Sequence, residues 1–365
     1  MLQIVFVILI TVHGLIHLIG FVKAFGLAEV NQLTQLVSKP LGLAWLLAGV
    51  LFLMAAMAVA SKRPLWWLIG LLAIATSQFL IVLYWQDAKF GTVVNTIMLV
   101  VCSYGYATWR FYDGFQDDVK NGLPQKAYFQ DAMLSETDLA HLPEPVKRYL
   151  RYTGAVGKPK VNNFKVGFTG KIRKNEASEW MPFTSEQYNV MQAPTRLFFM
   201  KAVMKGFPVA GYHRYKNGIA LMDIRLFSFF KVQYRAGEEM NKAETVTFFN
   251  DMCCMAPATL IDKRISWQET GENIVKATFT TNGISISANL FFNEAGELIN
   301  FQSNDRFNAE AGTKLPWATP LKHYRKLNGY RLAGYAEAIY SYPDRDLCYG
   351  TFNVTSIKYN GEAQP

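Results

Sequence analysis

The chain begins with four apolar runs that are separated by short polar joints. These runs cover residues 2–22, 41–60, 65–85 and 92–109. At a helical rise of about 1.5 Å per residue, each run is long enough to cross about 30 Å of hydrocarbon. Trp66, Trp67 and Trp85 stand at the two ends of the third run, where a membrane interface favours tryptophan. The pattern predicts a bundle of four transmembrane helices over residues 1–111.

Charged residues at the joints indicate the orientation of this bundle. Four spans would put the N-terminus and everything after the bundle on the same side of the membrane. That side carries Lys62, Arg63, Arg110, Lys120 and Lys126, and the other side carries Lys23, Lys39 and Lys89. The positive-inside rule therefore favours a cytoplasmic location for the part that follows. The first run lacks a basic segment and a cleavage site, which predicts that it is retained as a span.

Beyond residue 111 the pattern of apolar positions changes. Residues 112–141 are polar and predict a linker, and residues 142–154 predict a short amphipathic helix. From there to residue 365 apolar residues alternate with polar ones, as expected for strands. Turn signals such as Asn282-Gly283 and Asn328-Gly329 join consecutive strands at hairpin spacing. More than ten strands without interleaved helices predict one large antiparallel sheet.

One helix-forming segment interrupts the strands at residues 237–256. Its apolar residues fall near one side: Met240, Ala243, Val246, Phe249, Cys253 and Met255. A single helix within one long antiparallel sheet would most simply lie across its concave face. The predicted fold class is therefore α + β: a four-helix membrane bundle followed by a curved half-barrel that encloses an apolar interior.

Composition narrows the classes of function. The net charge is +9, with +4 in the first 110 residues and +5 in the remaining 255. Because no block of Lys and Arg accompanies it, the charge predicts no nucleic-acid partner. The four cysteines are Cys102, Cys253, Cys254 and Cys348. One of the adjacent pair could reach Cys348, but the spacing fits neither a disulfide framework nor a zinc site, so we predict free thiols, no metal and no cofactor.

Two histidines within the first apolar run are the polar residues that most need an explanation. His13 and His17 are four residues apart and project from one helix face. One hypothesis is a metal or haem site, but no third histidine or intramembrane carboxylate accompanies them in this half. The alternative is that they hydrogen-bond across the bundle to groups such as Ser77, Gln78 or Asn95. We favour this packing role.

The strand-rich part carries no recognisable catalytic motif, and its candidate site is a set of polar residues. The set comprises Asp251, Asp305, Arg306, His213 and Trp317. Alternation along residues 298–305 places Asp305 on the same face as Ile299 and Phe301, which we expect to face the core. An inward carboxylate near Asp251 of the helix is either part of a buried ion pair or a polar anchor for a ligand. His213 and Trp317 could reach the same cavity.

Several motifs resemble an uncharacterised bacterial family that is known only as a domain of unknown function. The motifs are LPEPVKRYLRYTGAVG, TFFNDMCCMAPATLIDKRISWQ and LINFQSNDRF, with HGLIHLIGF and WQDAKFGTVVN in the helical part. The strand-rich part of the family is similar to the half-barrel of lipoprotein carriers, the LolA-like fold. The resemblance implies a multi-pass protein of the bacterial plasma membrane and brings no established activity with it.

Three hypotheses for function follow. The favoured one is a membrane-anchored module whose half-barrel binds a hydrophobic or lipid-like ligand, with the lipid bilayer as its other partner. A second is a structural or interaction module at the membrane, with a protein partner that the sequence does not identify. A third is an enzyme acting on a small or membrane-derived substrate, which would need Asp251, Asp305 and His213 to converge on one open pocket.

Overall fold

A computed structural model describes residues 2–123, 132–308 and 310–361. The chain divides into two compact units, Met1–Asp113 and Gly114–Pro365. The first unit is helical, and the second is built on a large antiparallel sheet. The order of helical region and sheet agrees with the sequence prediction.

The helical unit contains the predicted apolar segments as helices. They are α1 (Leu2–Ala24), α2 (Lys39–Ala60), α3 (Trp66–Leu83), the short α4 (Trp85–Ala88) and α5 (Gly91–Gly122). Within the described residues, α1, α2 and α3 are long and apolar enough to cross a membrane. The fourth predicted span lies in α5, which is less apolar because Asn95 interrupts its first half and charged residues follow from Arg110. Membrane spans are thus supported for three helices, and the fourth span stays a prediction.

Helix α1 packs closely against α2 because glycines line the contact. A Cβ atom on Gly20 would lie 2.2 Å from the ring of Trp45, and one on Gly49 would lie 2.9 Å from the carbonyl oxygen of Gly14. A larger side chain at Gly20 would displace the Trp45 ring, and one at Gly49 would press on the backbone of α1. Small residues at a helix contact are typical of packing within a membrane, where close van der Waals approach replaces the hydrophobic effect.

The second unit is dominated by one 13-stranded sheet. Its strands are β1 (Asn163–Ile172), β2 (Met181–Val190), β3 (Thr195–Met204), β4 (Phe207–Lys216), β5 (Ile219–Leu226), β6 (Phe230–Ala236), β7 (Ile265–Gly271), β8 (Ile274–Thr281), β9 (Ile284–Phe292), β10 (Leu298–Ser303), β13 (Trp317–Leu327), β14 (Tyr330–Ser341) and β15 (Asp346–Tyr359). The order across the sheet is β6-β5-β4-β3-β2-β1-β15-β14-β13-β10-β9-β8-β7. Two further strands, β11 (Phe307–Asn308) and β12 (Thr313–Lys314), pair with each other.

Tight turns join the consecutive strands, as the sequence predicted. Asn217, Asn282 and Asn328 have φ values of 50°, 50° and 47°, and each is followed by a glycine with positive φ. Two successive residues with positive φ match the right-handed twist of a two-residue hairpin. The chain therefore returns along its neighbour at each of these points, which gives the meandering antiparallel order.

In the described part of the second unit, two α-helices follow α5, namely α6 (Glu144–Tyr152) and α7 (Glu238–Met255), with short 3-10 helices at Glu136–Leu139 and Pro257–Ile261. Gly237 caps α7 with φ of 108°, a conformation that favours glycine. Every residue of α7 from Ala243 to Met255 is buried, whereas the sequence pattern predicted an apolar side only. The helix contacts strands from both halves of the sheet, among them β4, β5, β9 and β10.

The end of α5 covers the face of the sheet that points away from α7. Phe115 is fully buried, with its ring 5.3–6.0 Å from those of Tyr188, Phe199 and Tyr212 on three adjacent strands. Strands β2–β4 are therefore covered on both faces. The predicted linker 112–141 accordingly begins inside a helix, because Phe115 and Val119 give its polar sequence a buried side. Residues 124–131 of that linker lie outside the described part of the chain.

Candidate functional site

A cavity of about 1260 Å³ opens within the second unit. Its walls are formed by α7 together with strands β1–β6 and β13–β15. Most of the wall is apolar, including Phe168, Phe198, Met200 and Phe352. Typical small-molecule sites measure about 300–1000 Å³, so this cavity could enclose a long or branched ligand.

A buried charged cluster forms one side of the cavity, centred on Arg196. Its guanidinium donates to Asp251 Oδ2 at 2.7 Å and to Glu244 Oε2 at 3.0 Å. Glu244 and Asp251 are seven residues apart on α7, two helical turns, so both carboxylates point the same way. Arg196 lies on β3 opposite Asn189 of β2. The side chains of Glu244 and Arg196 are 1% and 8% exposed, so the ion pair is largely withdrawn from solvent.

Amide side chains on β2 complete this cluster. Gln187 accepts a hydrogen bond from Arg196 at 3.0 Å and donates to Asp251 at 2.7 Å. Asn189, two residues along the same strand face, donates to the same Asp251 oxygen at 3.3 Å. A buried carboxylate with this many donors is held in one position.

The two carboxylates on Arg196 differ in their acidity. Burial alone would raise the pKa of Glu244, but Arg196, together with His213, outweighs it and lowers that pKa to about 2. For Asp251, burial outweighs the same guanidinium and raises the pKa above its usual value. His213 Nδ1 lies 3.5 Å from Glu244 Oε1, so Glu244 connects the histidine to the cluster.

Arg306 occupies a different environment on the cavity wall. Its guanidinium donates to the Tyr340 hydroxyl, to Tyr349 Oη at 3.3 Å and to Thr247 Oγ1 at 3.4 Å. It also lies 4.7 Å from the centre of the Trp317 ring, a cation–π distance. Its neighbours are thus hydroxyl groups and aromatic faces.

The structure brings together four of the five predicted site residues. Asp251, His213, Arg306 and Trp317 all line the cavity. Asp305 is not among the described residues that line it. Its carboxylate pairs with Lys242 Nζ at 2.9 Å and accepts the backbone N–H of Ser287 at 2.8 Å. Burial opposes these contacts, but together they lower the pKa of Asp305. Of the two alternatives for these carboxylates, the structure shows ion pairs, but Asp251 and Asp305 pair with different cations and neither pairs with Arg306.

An irregularity in β10 corrects the predicted alternation. Leu298 pairs with Phe292 and Asn300 with Phe291, so Ile299 is the extra residue of a β-bulge. Ile299 is 41% exposed, whereas Leu298 and Phe301 are fully buried. The expectation that Ile299 faces the core was therefore wrong, because a bulge shifts the side-chain alternation by one residue.

Sequence reasoning missed the residue at the centre of the cluster, Arg196, and its partner Glu244. One signal was present: Gln187 and Asn189 are two residues apart on β2 and so share one face of that strand. A second signal was the pair of acids seven residues apart in the interrupting helix. Together these two signals indicate that a cation is buried nearby, but neither signal indicates which basic residue supplies it.

The histidine pair lies in the helical unit, where both side chains are buried. His13 Nε2 lies 3.2 Å from Asn95 Oδ1, and His17 Nε2 lies 2.9 Å from Ser77 Oγ. Asn95 Nδ2 in turn donates to Ser77 and to Gln78, at 3.0 Å each. With neutral imidazoles the bonds form one consistent network, in which His17 Nδ1 donates to the His13 carbonyl and Ser77 donates to His17. Among the described residues, no group of three or more His, Cys, Asp or Glu could hold a metal ion.

The fold and the cavity define the class: an antiparallel-sheet domain with a polar cluster inside an apolar cavity, preceded by apolar helices. The chain belongs to DUF6544, a family of unknown function whose model matches residues 132–352. The family resemblance predicted from the motifs is thereby confirmed. A comparison with curated proteins found no match.

The chain is also similar to solved structures, at low identity. One is a putative outer membrane lipoprotein-sorting protein domain from Vibrio parahaemolyticus, with 7% identity, 60% of this chain and 93% of that chain covered, and a TM-score of 0.35. A DUF1329 family protein from Desulfovibrio piger has 9% identity, coverages of 59% and 92%, and a TM-score of 0.36. A LolA superfamily protein from Nitrosomonas europaea has 9% identity, coverages of 60% and 94%, and a TM-score of 0.34. These likenesses are distant and define no function for this chain.

Proposed function

We propose that this protein is a membrane-anchored module that binds a hydrophobic, lipid-like ligand in the cavity of its second unit. The cavity itself is the observation that carries the proposal. Its volume of about 1260 Å³ exceeds what a filled core would leave, and its walls are mostly apolar. Exposed apolar side chains such as Val203, Met204 and Val232 continue the wall to the surface, beside charged residues such as Lys205 and Arg235.

The contacts of α7 support a curved, half-barrel sheet around this cavity. The helix contacts β5 and β9, which are nine strand positions apart in the sheet order. In a flat sheet, nine spacings of about 4.8 Å would separate them by roughly 43 Å. A helix of 18 residues is only about 27 Å long. We therefore infer that the sheet bends around α7, with the helix on its concave face.

The apolar helices supply the membrane anchor in this proposal. Helices α1, α2 and α3 are the supported spans, and the first half of α5 would be the fourth. With four spans, the basic joints favour a cytoplasmic position for the second unit. A ligand site tethered to a bilayer suits a molecule that dissolves in that bilayer.

No specific contact favours the enzyme hypothesis. It required Asp251, Asp305 and His213 to converge on an open pocket. Asp251 instead binds Arg196, and Asp305 binds Lys242. Both carboxylates are engaged in ion pairs, which is the arrangement of a structural cluster rather than of a free general acid or base.

The proposal can be tested with a photoactivatable long-chain alcohol that carries a diazirine. The purified full chain in detergent is irradiated with this probe, and the labelled peptides are mapped by mass spectrometry. We expect labelling of cavity-wall peptides from β3, β4 and α7. Ala336→Phe, which fills part of the cavity, should abolish that labelling, whereas Ala140→Phe at an exposed site should not. Labelling confined to the helical unit, or equal cavity labelling of both variants, would refute ligand binding in the cavity.

A further inference from the structure

Arg306 is a cation on the cavity wall without a carboxylate partner. Among the described residues, no Asp or Glu lies within salt-bridge distance of its guanidinium, although four groups surround it. By contrast, Arg196 holds both Glu244 and Asp251. The two arginines and the two carboxylates, Glu244 and Asp251, have a net formal charge of zero. Both carboxylates nevertheless pair with Arg196. An arginine keeps its proton at any physiological pH, so Arg306 is a fixed positive charge among hydroxyl groups and aromatic faces, on which Glu244 acts from beyond salt-bridge distance.

Two hydroxyl groups on the cavity wall, those of Tyr349 and Thr319, have hydrogen-bonding capacity that is not used within the protein. Tyr349 Oη accepts from Arg306 and from Trp317 Nε1 at 3.0 Å, which leaves its own proton to donate. Thr319 is only 6% exposed and lines the cavity, yet its Oγ1 has no hydrogen-bond partner among the described residues. It lies two residues after Trp317 on the same face of β13, on the order of 7 Å along the strand. Buried hydroxyls are normally paired, so this one calls for a partner from outside the protein.

We propose that Arg306, Tyr349 and Thr319 bind the anionic head of an acidic amphiphile, a long apolar chain ending in a carboxylate or a phosphate. This inference rests on the proposed function and assigns the chemistry of the ligand's polar end. The guanidinium supplies charge and a planar pair of donors, and the two hydroxyls supply further donors to the same oxygens. The apolar tail of the ligand then packs along the cavity wall that includes Phe198 and Met200.

The test compares probes that differ only in their polar end. A diazirine-bearing fatty acid and the matching alkyl phosphate are titrated against the matching alcohol on the full chain, with mapping of the labelled peptides. Both acidic probes should label the cavity wall at roughly tenfold to hundredfold lower concentration than the alcohol, as expected for a charged hydrogen-bonded head. Arg306→Met should remove this advantage while leaving labelling by the alcohol unchanged.

Several outcomes would overturn the assignment without touching the proposed function. One is equal labelling by acid and alcohol in the unaltered chain, and another is an undiminished acid preference in Arg306→Met. If inorganic phosphate alone displaced the alkyl phosphate, the site would take a free anion and not an amphiphile. Failure of all three probes to label the cavity would instead remove the proposed function itself.

Thr319→Val gives a second variant that does not depend on losing a charge. If Thr319 served only the fold, removing an unpaired buried hydroxyl would leave stability unchanged or raise it, with no effect on the probes. If it binds the head, the acidic probes should weaken by about fivefold, with the same melting temperature. An unchanged titration with the acidic probes would exclude Thr319 from the site.

A separate observation concerns the surface formed by two hairpin tips and the edge strand β6, residues 201–207 and 226–236, which we call the hairpin-tip surface. Phe207, Phe229 and Phe230 are 53%, 59% and 60% exposed. The basic residues of the two segments are Lys201, Lys205, Lys231 and Arg235, and no acidic residue occurs in either. Exposed aromatic side chains between basic ones are typical of a protein surface that enters an anionic membrane interface. The surface also borders the cavity at Met204 and Val232.

We infer that this hairpin-tip surface docks on a bilayer that carries anionic headgroups. Large exposed apolar groups are costly in water and gain most by burial in the interfacial region. The basic residues match a negative surface in charge. The continuity with the cavity mouth would let an amphiphile pass from the bilayer without crossing water.

Site-specific fluorescence on the full chain tests this docking. The environment-sensitive dye NBD is attached to a cysteine introduced as Phe229→Cys in a Cys348→Ser background, with Asn217→Cys at the opposite end of the same strands as the control. In nanodiscs of phosphatidylcholine mixed with phosphatidylglycerol, lipids carrying a doxyl quencher should quench the dye at 229 and not at 217. Lys205→Glu with Lys231→Glu, or phosphatidylcholine alone, should weaken the quenching. Equal quenching at both positions, or none at 229, would refute docking on the bilayer.

Discussion

Replacement of Arg196 by methionine should destabilise the second unit strongly. The guanidinium is the shared cation for Glu244 and Asp251, and all three side chains are nearly buried. Methionine is flexible and replaces the aliphatic stem of arginine, so the packing of that stem is largely kept. The substitution therefore isolates the electrostatic consequence of removing the cation.

The expected size follows from the two carboxylates that are left behind. Asp251 already has a raised pKa, so it can take up a proton and lose its charge at modest cost. Glu244 loses more, because its low pKa depends on the arginine that has been removed and burial then raises that pKa. Breaking a buried ion pair in this way costs about 3–5 kcal/mol. At roughly 2–4 °C per kcal/mol for a domain of this size, the melting temperature should fall by roughly 6–20 °C.

Circular dichroism of the sheet during thermal unfolding of the full chain in detergent measures the effect. Arg151→Met is the matched control, since it breaks an ion pair with Glu136 whose two side chains are 46% and 56% exposed. Such surface pairs contribute about 0–1 kcal/mol. Adding Glu244→Gln and Asp251→Asn to Arg196→Met should recover most of the loss by removing the stranded charges. The reasoning is refuted if Arg196→Met lowers the melting temperature no more than the control does.

Three further results are expected. Glu244 has a pKa of about 2 against its usual 4.5, so its contribution to stability is present above pH 4.5 and is lost as the pH falls toward 2. In Glu244→Gln, the melting temperature measured between pH 4.5 and pH 2 should therefore fall less steeply. Gly20→Ala should destabilise the helical unit by about 1–3 kcal/mol in thermal unfolding, because the new methyl overlaps Trp45, whereas Gly114→Ala in open space should stabilise α5 by about 0.5–1 kcal/mol. Reporter fusions after α4 and at the C-terminus should lie on opposite sides of the membrane if α5 is a span, and on the same side if it is not.

Much of the fold follows from local patterns that the sequence displays directly. Period-two alternation and Asn-Gly turns identify hairpins, because a turn with two positive φ values fixes which strands pair. The helix that begins after Gly237 is equally visible. The pairing of β1 with β15 is not visible in the local pattern, since it joins residues that are nearly 200 positions apart. The bulge at Ile299 could not be predicted from the alternation either, because a bulge of one residue leaves no signal in the composition or hydrophobicity of the strand.

The candidate site was harder to predict because its residues come from distant elements. Asp251 and Asp305 were grouped as acids, yet their positions are decided by the nearest cation, which is Arg196 for one and Lys242 for the other. A sequence shows that buried charges need partners but not which partner the topology delivers. The sequence indicated only that His213 and Trp317 could reach the same cavity, and both line it.

The two arginines of the cavity differ in the partners that the protein gives them, and this difference assigns Arg196 to folding and Arg306 to ligand binding. Arg196 has its charge and its donors satisfied by Glu244, Asp251 and Gln187, so a ligand could engage it only by displacing a protein group. Arg306 rests on hydroxyls and aromatic faces that are weaker acceptors than a carboxylate. An anionic ligand would therefore gain a new ion pair at Arg306 without breaking one. It follows that replacing Arg196 should act on the stability of the sheet unit, and that replacing Arg306 should act on which ligand the cavity accepts.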